Sequence, residues 1–210
     1  MTTLIADARA FLSALAQDNT RAWWDAHKPA YDAQLKAPAL ALLDRLSPEV
    51  SAITGHAVTT RLWRPHRDVR FSRDKTPYTT HLHMAWHLSA GGRQDPALFF
   101  GVAPGYVTVG VGVIEFQPEV LPDWRRLLDL DAARFGALLA QAEGAGLTFW
   151  EPTLKRVPAP FPQDHPLGRY LRMKSIAASR DIGVTEDPDS AILDTLRAAA
   201  PVLAVLDSVL

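Results

Sequence analysis

The sequence predicts an α+β protein with a curved, mainly antiparallel sheet flanked by helices, with a helical segment at the N-terminus and a helix at the C-terminus. Three observations lead there. Apolar residues recur with helical spacing up to about residue 46, alternate between 57 and 116, and return to helical spacing after 117. The extended pieces follow one another in hairpin order and do not alternate with helices, which argues against a βαβ arrangement. With 210 residues, 48% of them hydrophobic, the chain is long enough for a sizeable core and short enough for one domain, 1–210. Within it, 1–47 carries the N-terminal helices, 57–116 the main strands and 117–143 a helical pair. Residues 147–210 hold a Pro-rich connection, a strand and the C-terminal helix.

Residues 3–17 place Leu4, Ile5, Ala8, Phe11, Leu12 and Leu15 on one stripe. Asp18-Asn19-Thr20 breaks this helix and offers an N-cap to the next. Over 20–46, Trp24, Lys28, Tyr31 and Leu35 share a face, continued by Ala39, Leu42, Leu43 and Leu46. Pro29 and Pro38 are expected to bend or split this region, and Ser47-Pro48 to begin its exit. The runs 58–63, 67–72 and 80–89 read as extended. Residues 90–96 read as a loop. Residues 97–116 form the clearest hairpin, turning at Ala103-Pro104-Gly105. Its second strand sets Val107, Val109, Val111 and Val113 on one face and Tyr106, Thr108, Gly110, Gly112 and Ile114 on the other. Glycines on one strand face leave room for a helix, another backbone or a ligand, and a helix is the expected occupant. Two helices follow over 117–129 and 131–142. Then come a Pro-rich connection with one short strand, a helix over 166–173 and a strand over 174–182. The last helix opens at Asp187-Pro188, with Ile192, Leu196, Leu203, Leu206 and Leu210 close to one face.

Cysteine is absent, which excludes disulfides and thiolate metal sites. The N-terminus reads as a helix and not as a signal peptide, and no apolar run approaches a membrane span. A cytoplasmic protein without membrane association is expected. Net charge is −1, unevenly spread. Residues 61–75 hold six cations (Arg61, Arg64, Arg67, Arg70, Arg73, Lys75) against Asp68 and Asp74, a net of +4. Residues 151–174 hold five (Lys155, Arg156, Arg169, Arg172, Lys174) against Glu151 and Asp164, a net of +3. Two basic segments on an acidic body point to an anionic partner.

Several stretches resemble a known family. "DNTRAWWDAHKPAY" resembles the opening motif of the domain of unknown function 2461 family of conserved hypothetical proteins, and "RDVRFSRDKTPYTTH" its central signature. "LKRVPAPFPQDHP" and "LRMKS" resemble its C-terminal motifs. The resemblance covers nearly the whole chain. It implies a fold and a set of motif positions, among them Asn19, Trp24, Arg67, Asp68, Arg70, Tyr78 and His81, and it implies no reaction. The sequence departs from the family at Thr79, where Lys is common, and at Ala159-Pro160, where Lys-Gly is common. Both departures weaken a simple phosphate clamp.

Arg presents a planar fork suited to phosphate or carboxylate. The leading expectation is therefore an anionic ligand bound at Arg64, Arg70, Lys75, Tyr78 and His81, joined by Lys155, Arg156 and Lys174. Nucleic acid is the less favoured form of that ligand, because Asp68 and Asp74 interrupt the run. A second reading is a metal-independent enzyme on a phosphorylated or carboxylated substrate, with Asp68 or His81 as acid–base group. A third is an interaction module with a basic surface. If the run is extended, Arg67 shares parity with Val69 and Phe71, which would anchor in the core, while Arg64 and Arg70 are displayed around Asp68. His81, His83 and His87 share strand parity, but same-face neighbours point in parallel and no acid completes a shell, so no metal site is expected. No Gly-rich phosphate loop, nucleophile elbow or HExxH pattern is present, and no cofactor is implied.

Overall fold

The structure, a computed structural model, describes residues 4–89, 91–185 and 187–210. Thr3 of the expected first helix and Ala90 of the expected loop lie outside them. The architecture is α+β, with a six-stranded antiparallel sheet and helices at both ends of the chain.

Helix α1 (Leu4–Gln17) buries Ile5, Ala8, Phe11, Leu12 and Leu15, the stripe read from the sequence. Thr20 caps α2 (Arg21–Ala30), its side chain accepting from the Trp23 N–H at 3.2 Å. Neither Pro29 nor Pro38 ends the rod. A π-helical turn (Tyr31–Lys36) joins α2 to α3 (Ala37–Thr54), and Pro38, which has no N–H to donate, stands just past it. Pro48 does not begin an exit either. Buried Val50 holds the following turn, and the helix stops at Gly55, whose φ of 72° is the left-handed conformation that suits glycine.

The strands are β1 (Ala57–Leu62), β2 (Leu82–Ser89), β3 (Ala97–Ala103), β4 (Tyr106–Val113), β5 (Thr148–Phe149) and β6 (Ile176–Asp181). Their order in the sheet is β1-β2-β3-β4-β6-β5. Helices α4 (Leu121–Leu130) and α5 (Ala132–Gly144) precede β5, and a short α6 (Gly168–Leu171) precedes β6. The expected last helix is two, α7 (Pro188–Ala198) and α8 (Ala200–Leu206), divided at Ala199 with Pro201 in the first turn of α8.

Alternation assigns the two faces of the sheet. Leu82, Met84, Trp86, Leu88, Leu98, Phe100, Val102 and the four valines of β4 point into the core. Helix α3 packs on β1 and β2, α1 on β3, and α7 and α8 on β4. The Trp86 indole N–H donates to the Leu43 carbonyl at 3.0 Å, fixing α3 over β2. The opposite face carries His83, Ala85 and His87 of β2, Phe99 and Gly101 of β3, Tyr106, Thr108, Gly110 and Gly112 of β4, and Ser179 of β6.

The glycines of β4 do not receive the expected helix. Gly110 lies under the Phe99 ring of the neighbouring strand, and a Cβ there would stand 2.6 Å from Phe99 Cε2 and 2.7 Å from Ser179 Cβ. Gly112, at φ 148°, admits the close approach of the β6 backbone.

Candidate functional site

Residues 63–81 join β1 to β2 as an arch and not as a strand. His66 and Tyr78 form an isolated antiparallel bridge across it. The Arg67 N–H donates to the Pro77 carbonyl at 2.9 Å, and the Thr79 N–H to the Pro65 carbonyl at 2.7 Å. At the foot of the arch, Asn19 grips the backbone of Tyr78 on both sides. Its Nδ2 donates to the Tyr78 carbonyl at 2.9 Å, and its Oδ1 accepts from the Tyr78 N–H at 3.2 Å. The Tyr78 ring is 5% exposed and stacks on Trp24 with centroids 4.4 Å apart.

Most charges of the arch are engaged within it. Arg67 Nη1 donates to Asp74 Oδ2 at 2.6 Å and to the carbonyl and hydroxyl of Thr76. Arg70 forks onto Asp68, with Nε 3.0 Å from Oδ1 and Nη2 2.6 Å from Oδ2. Lys75 Nζ donates to the Val69 carbonyl at 3.0 Å. The Thr76 backbone N–H, and then the Arg67 guanidinium, hold the Asp74 carboxyl down to about 2. The Arg70 guanidinium likewise holds Asp68 below the usual carboxylate range, so Asp68 is a weak base at neutral pH.

One expectation for this run is corrected: Phe71 does not enter the core; it is 96% exposed. Arg67 is turned inward as expected, its side chain 26% exposed, and it is paired with Asp74, while Arg64 and Arg70 are exposed. Asp68 and Asp74 each accept from a backbone N–H two residues on. These turns redirect the chain before alternation can apply.

The eight residues expected to hold one ligand are split. The arch leaves at Leu62 and returns at Leu82, whose partner is Val102, so it occupies one end of the sheet. Strand β5 pairs Thr148 with Ser179 and then Phe149 with Ala178, running toward Ile176 and the other end. Lys155 and Arg156 therefore follow β5 away from the arch, and Lys174 precedes β6 at that far end. Strands β2 and β6 are three places apart, about 14 Å across. Shared charge does not bring the two basic segments together. Arg64 is exposed and Tyr78 is buried as a structural anchor.

The second face of the sheet holds a cavity of about 460 Å³. Trp63 bounds it on the β1 side and Trp150 on the β5 side, with Phe99 and Ile114 between them. Gly101, Thr108, His83 and Tyr106 also line it, with Met84 and Phe100 beneath. The Trp63 N–H donates to the His83 carbonyl at 3.0 Å and extends the β1–β2 ladder, which is what turns Trp63 toward this face. The Phe99 and Trp150 rings meet at 6.0 Å.

The polar feature is a pair. His83 Nε2 and the Tyr106 hydroxyl hydrogen-bond at 2.8 Å. Burial, and then the neighbouring His81, push the His83 imidazole down to about 4. Burial also raises the Tyr106 hydroxyl above its ordinary value. The His81 ring stacks on His83 at 3.9 Å and is itself lowered, by burial first and Arg67 second. The pair is thus neutral at physiological pH. The two imidazoles stack and do not converge on a common point. Among the described residues, no group of three or more His, Cys, Asp or Glu side chains is arranged to hold a metal ion.

The sequence alone gives His83 no part beyond an unfavoured metal face, and Tyr106 none. The available signal was parity: His83, Gly101 and Tyr106 lie on the same side of three successive strands once register is known.

The family described as Conserved hypothetical protein (DUF2461) matches residues 7–206. The chain belongs to this family. None of the curated proteins matches it. Membership in DUF2461 brings no reaction or ligand with it, so chemistry has to come from the geometry. The stretch that resembles the family's central signature falls on the arch, where Arg67, Asp68, Arg70, Asp74 and Tyr78 bind one another, the arch backbone, Asn19 or Trp24. Among the described residues, no helix is long and apolar enough to cross a membrane.

Proposed function

We propose that this protein binds a small, mainly apolar organic molecule with a planar ring in the cavity between Trp63 and Trp150. The ligand's hydrogen-bonding end is placed against His83 and Tyr106. The observation that carries this reading is the His83–Tyr106 pair, a polar contact in a wall built, apart from the Thr108 hydroxyl, mainly from indole, phenyl and aliphatic groups. Binding sites for small molecules combine an apolar concavity with a few convergent polar groups, and about 460 Å³ lies within their usual size range.

The pKa directions favour a binder over an acid–base enzyme. A general base works best with a pKa near the operating pH. His83 lies near 4, Asp68 is held low by Arg70, and Tyr106 is raised, so none of these three changes charge near neutrality; His81, the other expected acid–base group, is lowered from its ordinary value by burial and then by Arg67. The anionic ligand expected on the basic run loses support at Arg70, whose Nε and Nη2 are forked onto Asp68, and at Lys75, whose ammonium is held by the Val69 and Arg70 carbonyls. The cytoplasmic setting expected from the sequence is kept as part of the proposal.

Thermal unfolding with added 2-naphthol tests it. A ligand that binds only the native state raises Tm by mass action. The rise is expected in the parent protein and not in Thr108→Trp, which fills the cavity. Equal shifts in both, or none in either, would reject the site.

A further inference from the structure

A second concavity, of about 380 Å³, lies behind Trp63, between the α2–π–α3 rod and the residues leaving β1. Trp24 and Tyr31, both buried, form its floor, and Lys28, Asp32 and Lys36 approach from the rod. Arg64 and His66 approach from the arch. The opening motif stretch and the residues just ahead of the central signature therefore meet here.

The charges in this groove do not cancel. Lys28 pairs with Asp32. Lys36 and Arg64 make no side-chain hydrogen bond or ion pair among the described residues, unlike the engaged cations of the arch. Asp68, the acid that feels the Arg64 charge, is already forked by Arg70. Two unpaired cations thus remain over an aromatic floor.

The π turn bears on the same groove. Residues five apart on an α-helix sit about 140° apart around the axis. The i-to-i+5 register of the segment Tyr31–Lys36 brings its first and last residues toward one face, and both line the groove. Lys28, Asp32 and Lys36, spaced four apart, fall on this face as well.

We infer that this groove is an anion site for a small phosphorylated compound bearing a flat ring, with Arg64 and Lys36 on the phosphate and Trp63 beside the ring. A phosphate dianion matches two unpaired cations, and the fork of Arg64 suits its oxygens. The dimensions suit a mononucleotide-sized ligand and not a nucleic-acid strand. This site is separate from the cavity on the sheet face, although Trp63 borders both.

The test is calorimetric titration of the full chain with adenosine monophosphate, with adenosine as the control lacking phosphate. One equivalent is expected to bind, with affinity falling as salt is raised. Affinity is expected to drop about tenfold or more for adenosine and for each of Lys36→Gln and Arg64→Gln, the scale of a lost charge-assisted hydrogen bond. Both side chains are exposed, so the variants retain the fold, checked by circular dichroism. Thr108→Trp, which fills the other cavity, is expected to leave nucleotide binding unchanged and so separates the two sites. No binding of the nucleotide, or an affinity in either charge variant equal to that of the parent protein, would overturn the assignment.

Discussion

His83 and Tyr106 stand two strands apart and still hydrogen-bond at 2.8 Å, because the residue between them is Gly101. A Cβ on Gly101 would lie 2.8 Å from His83 Cδ2 and 3.5 Å from Tyr106 Cε2. Side chains of neighbouring strands reach each other readily; those of next-but-one strands, about 9.5 Å apart, meet only over an empty position. Gly101→Ala is therefore expected to fold and to push the imidazole aside, since a ring at the end of a rotatable side chain yields more easily than backbone. Freed toward solvent, His83 should titrate above its present value of about 4. NMR of ring-labelled histidine against pH reads this directly, and an unchanged titration would contradict it.

The same imidazole predicts a pH dependence of stability. Its folded pKa of about 4 lies below the ordinary 6.5. Between those values the unfolded chain binds the proton and the native protein does not, so stability is full above about 6.5 and falls as pH drops toward 4. Because the ring is only partly shielded from solvent, the loss is expected to be about 1–2 kcal/mol, less than the unscreened shift implies. Asp74 acts in a lower window, its contribution being lost only as pH falls from 3.8 toward about 2. Urea midpoints at pH 7, 5.5 and 4.5 should decline in the parent protein and decline less in His83→Gln. Parallel lines for the two proteins would refute the linkage.

Asn19, at the foot of the arch, is expected to be costly to remove. Its amide meets both backbone groups of Tyr78, which are shielded by the stack on Trp24. Asn19→Ala leaves a donor and an acceptor without partners and should cost about 1–3 kcal/mol. A change below about 0.5 kcal/mol in chemical denaturation, the range of a surface substitution, would show that the clamp is incidental.

Three neighbours in the run separate structural residues from displayed ones. Arg67→Ala removes three donor contacts from a half-buried guanidinium and should cost about 1–3 kcal/mol. Arg70→Ala breaks an exposed pair and should cost no more than about 1 kcal/mol. Phe71→Ser, at a fully displayed ring, should fall within about 0.5 kcal/mol of the parent. Denaturant midpoints giving the reverse order would mean that the run packs as a strand after all.

The helices and the β3–β4 hairpin are legible in the sequence because each is specified by local periodicity. The stripe from Ile5 to Leu15 and the valines of β4 face the core as their spacing requires. The stretch 67–72 misleads because Arg67, Val69 and Phe71 alternate by accident, while Asp68 and Asp74 fold the backbone through side-chain caps. The rod from Arg21 to Thr54 resists its prolines because each removes one donor while Leu35, Leu42, Leu43 and Val50 keep the face buried. The cavity is the least legible feature. Its lining comes from strands far apart in the chain, and only the register of β2, β3 and β4 sets His83 opposite Gly101 with Tyr106 on the same face, two residues along β4 from Gly101's partner Thr108.

The central claim is that a planar ligand enters between Trp63 and Trp150 with its polar end on His83 and Tyr106. The most direct measurement is an NMR titration of 2-naphthol into protein carrying labelled histidine and tyrosine rings. The predicted result is saturation at one equivalent, with the His83 and Tyr106 ring signals moving together and no such movement in Thr108→Trp. Ring signals of His83 and Tyr106 that stay fixed up to the solubility limit of the ligand, or that move equally in Thr108→Trp, would contradict the claim.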